Sequence, residues 1–171
     1  MSLINAILWG NYELADQLIT NGYGLNETDR SGFTPLMLLL CHLEMENRKE
    51  KYTVCLELIT KLIDAGVDVN IKNIGGNTAL NYAIWFKNYT VVRMLIDVGA
   101  DVNIKNDDGK TALIYSMCFY RSIYTGRMPI DAGTDVNIKD NNGYTALSYA
   151  VKRHNRYSSI DAVKILIEAD F

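Results

Sequence analysis

Two patterns of apolar and polar residues alternate along the chain. Runs such as Val91-Val92-Arg93-Met94-Leu95-Ile96 carry apolar residues at helical spacing. Between such runs lie stretches of the form Asp-Val-Asn-Ile-Lys, in which polar and apolar residues alternate beside turn formers, and these predict short extended fingers. The finger sequence recurs at Asp68, Asp101 and Asp135, 33 and 34 residues apart. The three fingers lead into Gly-x-Thr-Ala-Leu blocks at Gly76, Gly109 and Gly143, and a related Gly-Phe-Thr-Pro-Leu block starts at Gly32. The hydroxyls of Thr34, Thr78, Thr111 and Thr145 suit helix N-caps, and the Pro35 or Ala that follows suits a first helical turn. Gly66, Gly99 and Gly133 stand just past apolar helical runs, where a left-handed residue ends a helix.

These blocks resemble the ankyrin repeat family, whose unit is a turn finger, a Thr-Pro-Leu-His helix start, two antiparallel helices and an Ala-Gly-Ala-Asp-Val-Asn exit. The exits here read Ile63-Asp-Ala-Gly-Val-Asp-Val-Asn, Ile96-Asp-Val-Gly-Ala-Asp-Val-Asn and Ile130-Asp-Ala-Gly-Thr-Asp-Val-Asn. At the helix start Met37, Asn81, Ile114 and Ser148 replace the family's His. The resemblance implies an all-α ankyrin-repeat solenoid with short β-hairpin fingers, formed as one domain over residues 1–171. Five repeats result, over about 1–28, 29–72, 73–105, 106–139 and 140–171. The first lacks its own finger and places Ala6 and Gly10 where the third has Ala83 and Lys87.

Three repeats are irregular. The second carries an insertion at about 42–52, helix-forming and charged, which either lengthens both helices by a turn or protrudes as a loop. The fourth has Pro129 at a core leucine position, which predicts a shortened, loosened outer helix between about Ser122 and Ile130. The fifth has extra residues around 154–159 and stops before an exit finger.

Composition narrows the function classes. The formal net charge is -3, with 17 basic and 20 acidic residues, so no broad cationic field awaits phosphate backbones or anionic lipid, and neither nucleic acid nor membrane is an expected partner. One small basic cluster, Lys152, Arg153 and Arg156 beside Tyr157, is too slight to change that expectation. Cys41, Cys55 and Cys118 are odd in number and sit in apolar runs, which fits a reducing compartment. With no basic leader and no long apolar span, the expected location is cytoplasmic and the expected state monomeric.

A search for chemistry finds no phosphate-binding loop, no His-Glu-x-x-His and no nucleophile elbow, so neither an enzyme nor a cofactor is expected. His42 and His154 lack the spacing for a zinc site or a Cys–His dyad. The repeated Asp68/Asn70, Asp101/Asn103 and Asp135/Asn137 pairs are expected to hold turns rather than cations.

What the resemblance implies is protein binding through finger tips and the exposed side of the inner helices, which form a concave groove in the family. The repeat puts Arg30, Ser31, Phe33, Ile74, Gly75, Asn77, Asp107, Asp108, Lys110, Asn141, Asn142 and Tyr144 at the tips. Inner-helix positions facing the groove are Leu8, Trp9, Cys41, His42, Trp85, Phe86, Cys118, Phe119, Lys152 and Arg153. Both tryptophans of the chain fall in that second set, as do Phe86 and Phe119. Aromatic side chains gathered on one exposed face act as interface anchors. The expected function is therefore a non-catalytic module for one protein partner, and an effector, inhibitor or immunity-type protein blocking an enzyme with Asp107 and Asp108 is the alternative.

Overall fold

Threonine hydroxyls start the helices where the repeat places them. In the computed structural model, which describes residues 1–45, 49–119, 123–152 and 158–170, Thr34 Oγ1 accepts the Met37 amide at 3.3 Å, Thr111 Oγ1 that of Ile114 at 3.4 Å and Thr145 Oγ1 that of Ser148 at 3.2 Å. At Thr78 the cap is reinforced by Asn81, whose Oδ1 accepts the Thr78 amide at 2.9 Å. Asn81, one of the residues in place of the family's His, is thereby satisfied although buried.

Ten helices follow in order among the described residues: α1 (Leu3–Leu8), α2 (Tyr12–Thr20), α3 (Pro35–Met45), α4 (Lys49–Asp64), α5 (Ala79–Trp85), α6 (Tyr89–Asp97), α7 (Ala112–Phe119), α8 (Ile123–Asp131), α9 (Ala146–Lys152) and α10 (Ser158–Glu168). They gather in two compact bodies, Met1–Ile74 and Gly75–Phe171. In the first body α1 pairs with α2 and α3 with α4, while α1 also packs on α3 and α2 on α4. In the second, the pairs α5/α6, α7/α8 and α9/α10 stack in the same way, inner helices in one row and outer helices in another. Apolar surface that a single helix pair cannot bury alone is covered by the next pair. Leu113, Ile114 and Met117 of α7, for example, share a buried cluster with Ala146, Ala150, Ala162 and Leu166 of the following pair.

No strand occurs among the described residues. The expected hairpin fingers are instead tight turns braced by one Asx side chain each. Asn106 Oδ1 accepts the amides of Asp108 at 3.1 Å and Lys110 at 2.9 Å, and its own amide donates to the Lys110 carbonyl at 3.0 Å. Asp29 and Asp140 repeat that arrangement around Ser31/Phe33 and Asn142/Tyr144. Below the fingers, Asp68, Asp101 and Asp135 each accept the amide two residues on, from Asn70, Asn103 and Asn137, so these pairs hold turns.

Successive fingers interlock. The Ile74 amide donates to the Ser31 carbonyl at 3.1 Å in the first body. In the second, the Asp107 amide donates to the Gly75 carbonyl at 3.1 Å and the Asn141 amide to the Asp108 carbonyl at 3.0 Å. The finger glycine makes this approach possible. Gly109 has φ +77°, and a Cβ there would lie 2.7 Å from the Asn141 amide nitrogen.

Helix ends obey the same sequence rule. Gly66, Gly99 and Gly133 take left-handed conformations, and each is followed by an amide that reaches back to close the helix, as from Ala100 to the Leu95 carbonyl at 2.9 Å. Gly10 and Lys87, equivalent positions of the first and third repeats, share the left-handed region at φ 69° and 56°, and the next residues, Asn11 and Asn88, cap α2 and α6.

Pro129 does not shorten its helix, contrary to the sequence expectation. α8 covers the same repeat positions as α6, nine residues each. A proline two residues before the end of a helix removes a single amide donor, and the buried ring fills the core leucine's place. The Pro129 carbonyl still takes part in the exit, accepting the Thr134 amide at 3.1 Å. Ser122, the start of the segment expected to loosen, lies outside the described residues. The insertion at 42–52 lengthens helices: α3 and α4 have 11 and 16 residues where α5 and α6 have 7 and 9. Residues 46–48 within it lie outside the described residues.

The interlock predicts a difference between two chemically identical substitutions. Gly109 and Gly143 have φ of +77° and +79°, but only Gly109 is pressed against a following finger, since nothing lies within 4 Å of a Cβ at Gly143. Both alanine variants suffer the left-handed penalty, about 1–2 kcal/mol, and both gain the same unfolded-state entropy. Chemical denaturation is expected to show Gly109→Ala less stable than Gly143→Ala by at least about 1 kcal/mol, the scale of a forced local rearrangement.

Candidate protein-binding site

Exposed aromatic side chains stand in both bodies, Trp9, Tyr23 and Tyr52 in the first and Trp85, Tyr89 and Tyr144 in the second, and Trp85 and Tyr144 occupy positions that the repeat assigns to the binding face. Trp85 is the last residue of α5, and Phe86 follows it as the C-cap. Trp85 remains 40% exposed while its ring lies against Tyr115 of α7, centroids 5.8 Å apart and tilted by 44°. Phe86 is half-buried and meets Tyr82, one helical turn earlier, at 6.2 Å. Tyr115 itself is buried. A rigid support under a part-exposed indole lowers the entropy lost when a partner covers it.

Tyr144, at the tip of the last finger, is also part-exposed and packs edge-on against Tyr149 of α9 at 5.6 Å. The exposed Lys152 extends over the Tyr144 ring, its Nζ 4.7 Å from the centroid and 3.4 Å from the hydroxyl. Asp140 anchors the group from below. Its Oδ1 accepts the Asn142 and Tyr144 amides and its Oδ2 accepts the Tyr149 hydroxyl at 2.5 Å. Burial alone would raise the Asp140 pKa, but the Tyr149 hydroxyl, the two amides and the Lys110 charge outweigh it and hold the carboxyl below its ordinary 3.8. Tyr149 moves the opposite way: burial, and then the hydrogen bond to Asp140, push its hydroxyl well above the usual tyrosine value.

Asp107 and Asp108 are exposed at the middle finger, with Lys110 Nζ 2.9 Å from Asp108. Asn77 is half-buried and accepts the Asn106 side-chain amide at 3.0 Å, so it serves finger stacking. The side chain of Phe119 and all of Arg153 lie outside the described residues. Cys118, expected on the exposed side of its helix, is buried instead and belongs to the core cluster of α7 and α9. A thiol is small and apolar enough to be taken into the packing there.

Eight sequence-derived positions belong to the first body, among them Leu8 and Trp9 at the end of α1, both exposed, Trp9 at 81%. Phe33 is half-buried beside the Asp29 turn, and Ile74 projects from its finger almost fully exposed. His42 is half-buried, with Nδ1 3.0 Å from the Tyr12 hydroxyl and its ring edge-on to that of Tyr12. The nearby Cys41 thiol is pushed up to about 11 by burial, which disfavours the reactive thiolate. No three metal-ligating side chains converge among the described residues.

Tyr115 and Tyr149, which support the exposed rings, are absent from the sequence-derived set. A usable signal existed: Tyr82, Tyr115 and Tyr149 all stand four residues after the capping threonine of their repeats. Counting only exposed positions passed over the residues beneath them.

Because the folded Asp140 has a lowered pKa, its stabilising contribution is present above 3.8 and fades as pH falls below that value. Tyr149→Phe removes the hydroxyl donor, and a hydrogen bond to a charged group contributes about 1.5–3 kcal/mol. Denaturation across a pH series is expected to show the wild type more stable by that order at neutral pH, with the gap closing below pH 3.8.

The family model for ankyrin repeats, in three copies, matches residues 3–106, 49–125 and 88–171. Comparison with curated proteins gave no match. No helix among the described residues is long and apolar enough to cross a membrane. With capped helix pairs, interlocked finger turns and a family match that reaches from residue 3 to residue 171, the chain belongs to the ankyrin repeat family.

Proposed function

We propose that the second body binds one protein partner, without catalysis, through Trp85, Phe86 and the fingers carrying Asp107, Asp108 and Tyr144. Ankyrin repeats are in general protein–protein interaction modules, which gives the class of function. The observation that supports this location is Trp85, 40% exposed yet held against a buried tyrosine. An indole so placed offers a large apolar surface at little conformational cost. Asp107 and Asp108 add negative charge at the finger, and Lys152 over Tyr144 adds a cation at the next, so the matching surface is an apolar pocket with charges of both signs at its rim. Phe33, His42 and Ile74 of the first body are separate candidates for contact with the same protein. Buried Cys55 and Cys118 and the high-pKa Cys41 fit a reducing compartment.

Affinity capture from the native host tests the proposal. Against the wild-type bait, Trp85→Ala combined with Phe86→Ala is expected to lose its specific partner, since aromatic anchors contribute about 2 kcal/mol or more, roughly 30-fold in affinity. Retention of every partner by a folded double variant would contradict this location.

A further inference from the structure

The insertion in the second repeat shapes a groove on the outer-helix side of the first body. α4 and α6 end at matching repeat positions, Asp64 and Asp97, so the residues by which α4 is longer, 16 against 9, all stand at its start. By the same register Leu56 of α4 matches Tyr12, the first residue of α2. The turns of α4 ahead of Leu56 therefore extend past the start of α2, on which α4 packs. A groove of about 350 Å³ lies between the two helices. That volume falls within the range of about 300–1,000 Å³ in which ligand clefts are found.

The floor of the groove is apolar and its rim is anionic. Leu58 is buried in it, while Val54, from the added turns, and Tyr12 are half-buried at its sides. The Tyr12 hydroxyl lies 3.0 Å from His42 Nδ1, which fixes the ring. Lys61 of α4 reaches across to Asp16 of α2 and ties the two walls together. Glu13 on α2 and Glu57 on α4, both exposed, stand on the opposing walls. Lys61 is four residues after Glu57 but is turned to Asp16 instead, and among the described residues neither Glu13 nor Glu57 has an ion-pair partner. Three carboxylates against one ammonium leave the rim a surplus of two negative charges.

We propose that this groove docks a cationic amphipathic helix of a protein partner, aliphatic side chains resting on Val54, Leu58 and Tyr12 and lysine or arginine meeting Glu13 and Glu57. Charge complementarity selects that occupant, since an anionic rim repels acidic segments, phosphate backbones and anionic lipid alike. The length agrees. Val54 and Lys61 are seven residues apart on α4, about 10 Å along the axis, which matches anchors on two successive turns of a bound helix. Two packed helices also present parallel side-chain ridges between which a third helix fits. None of these residues belongs to the surface of Trp85 and the finger tips, so the two sites stand or fall separately.

Calorimetric titration of the whole chain tests this with three synthetic peptides of equal length. One is helix-forming with leucines along one face and lysines along the other, the second has glutamate for lysine, and the third keeps the lysines and has serine for leucine. The leucine–lysine peptide is expected to bind, and the other two at least about tenfold more weakly. Glu13→Gln combined with Glu57→Gln is expected to weaken its binding by about tenfold, with unchanged helix content because both side chains are exposed. Asp64→Asn combined with Glu168→Gln removes the same charge from exposed positions outside the groove and is expected to leave binding unchanged. Absence of binding by the leucine–lysine peptide, equal binding of either control peptide, or an equal effect of the two double variants overturns the proposal. Self-association of the wild type that Glu13→Gln with Glu57→Gln abolishes would give the groove to a second copy and overturn it as well.

Discussion

Finger interlock is the constraint on which each body of this protein depends. A finger must approach its neighbour closely enough for a backbone amide to reach a backbone carbonyl, and in the second body this occurs from Asp107 to Gly75 and from Asn141 to Asp108. That approach requires a residue without a Cβ at the turn, in a left-handed conformation, which is what Gly76 and Gly109 supply. It also requires turns that hold their own shape, which the Asx carboxyl or amide oxygen provides by accepting two amides at once. Once the fingers are in register, the helix pairs below follow. A threonine caps each inner helix that follows a finger, and buried Leu and Met side chains of one pair meet the alanines of the next.

Because backbone and small side chains do this work, the finger tips and exposed helix ends are left to vary. The third, fourth and fifth repeats use that freedom differently, with Trp85 and Phe86 on one inner helix, paired carboxylates on the next finger and a tyrosine under a lysine on the last. Three of these rings are braced by another: Trp85 by Tyr115, Phe86 by Tyr82, Tyr144 by Tyr149. Rigidity at these proposed binding residues thus comes from the same inner helices that form the stack.

Much of the fold could be read in the sequence because its determinants are local. Thr caps, exit glycines and Asp-x-Asn turns act within a few residues, and a repeat states each several times. Gly10 and Lys87 illustrate how far the register carries: unlike residues at equivalent positions adopt the same rare backbone conformation. Pro129 is tolerated because the cost of proline in a helix interior does not carry over to a helix end, where one absent donor costs little. Cys118 was misplaced because periodicity assigns a face but not the depth to which neighbours cover it. Tyr115 is hidden from periodicity because its role depends on a contact with the preceding repeat, at Trp85, whereas Tyr149 and Asp140 join the finger and inner helix of one repeat and show only once that finger is folded.

Native-state hydrogen exchange at the finger amides tests the central claim most directly. The Asp107 and Asn141 amides lie in turns on exposed residues and would exchange rapidly if the fingers were independent loops. If interlock organises the stack, both are protected to nearly the level of the α7 core amides and lose that protection together with them on mild denaturation. Fast exchange at Asp107 and Asn141 while the α7 amides remain protected would contradict the account.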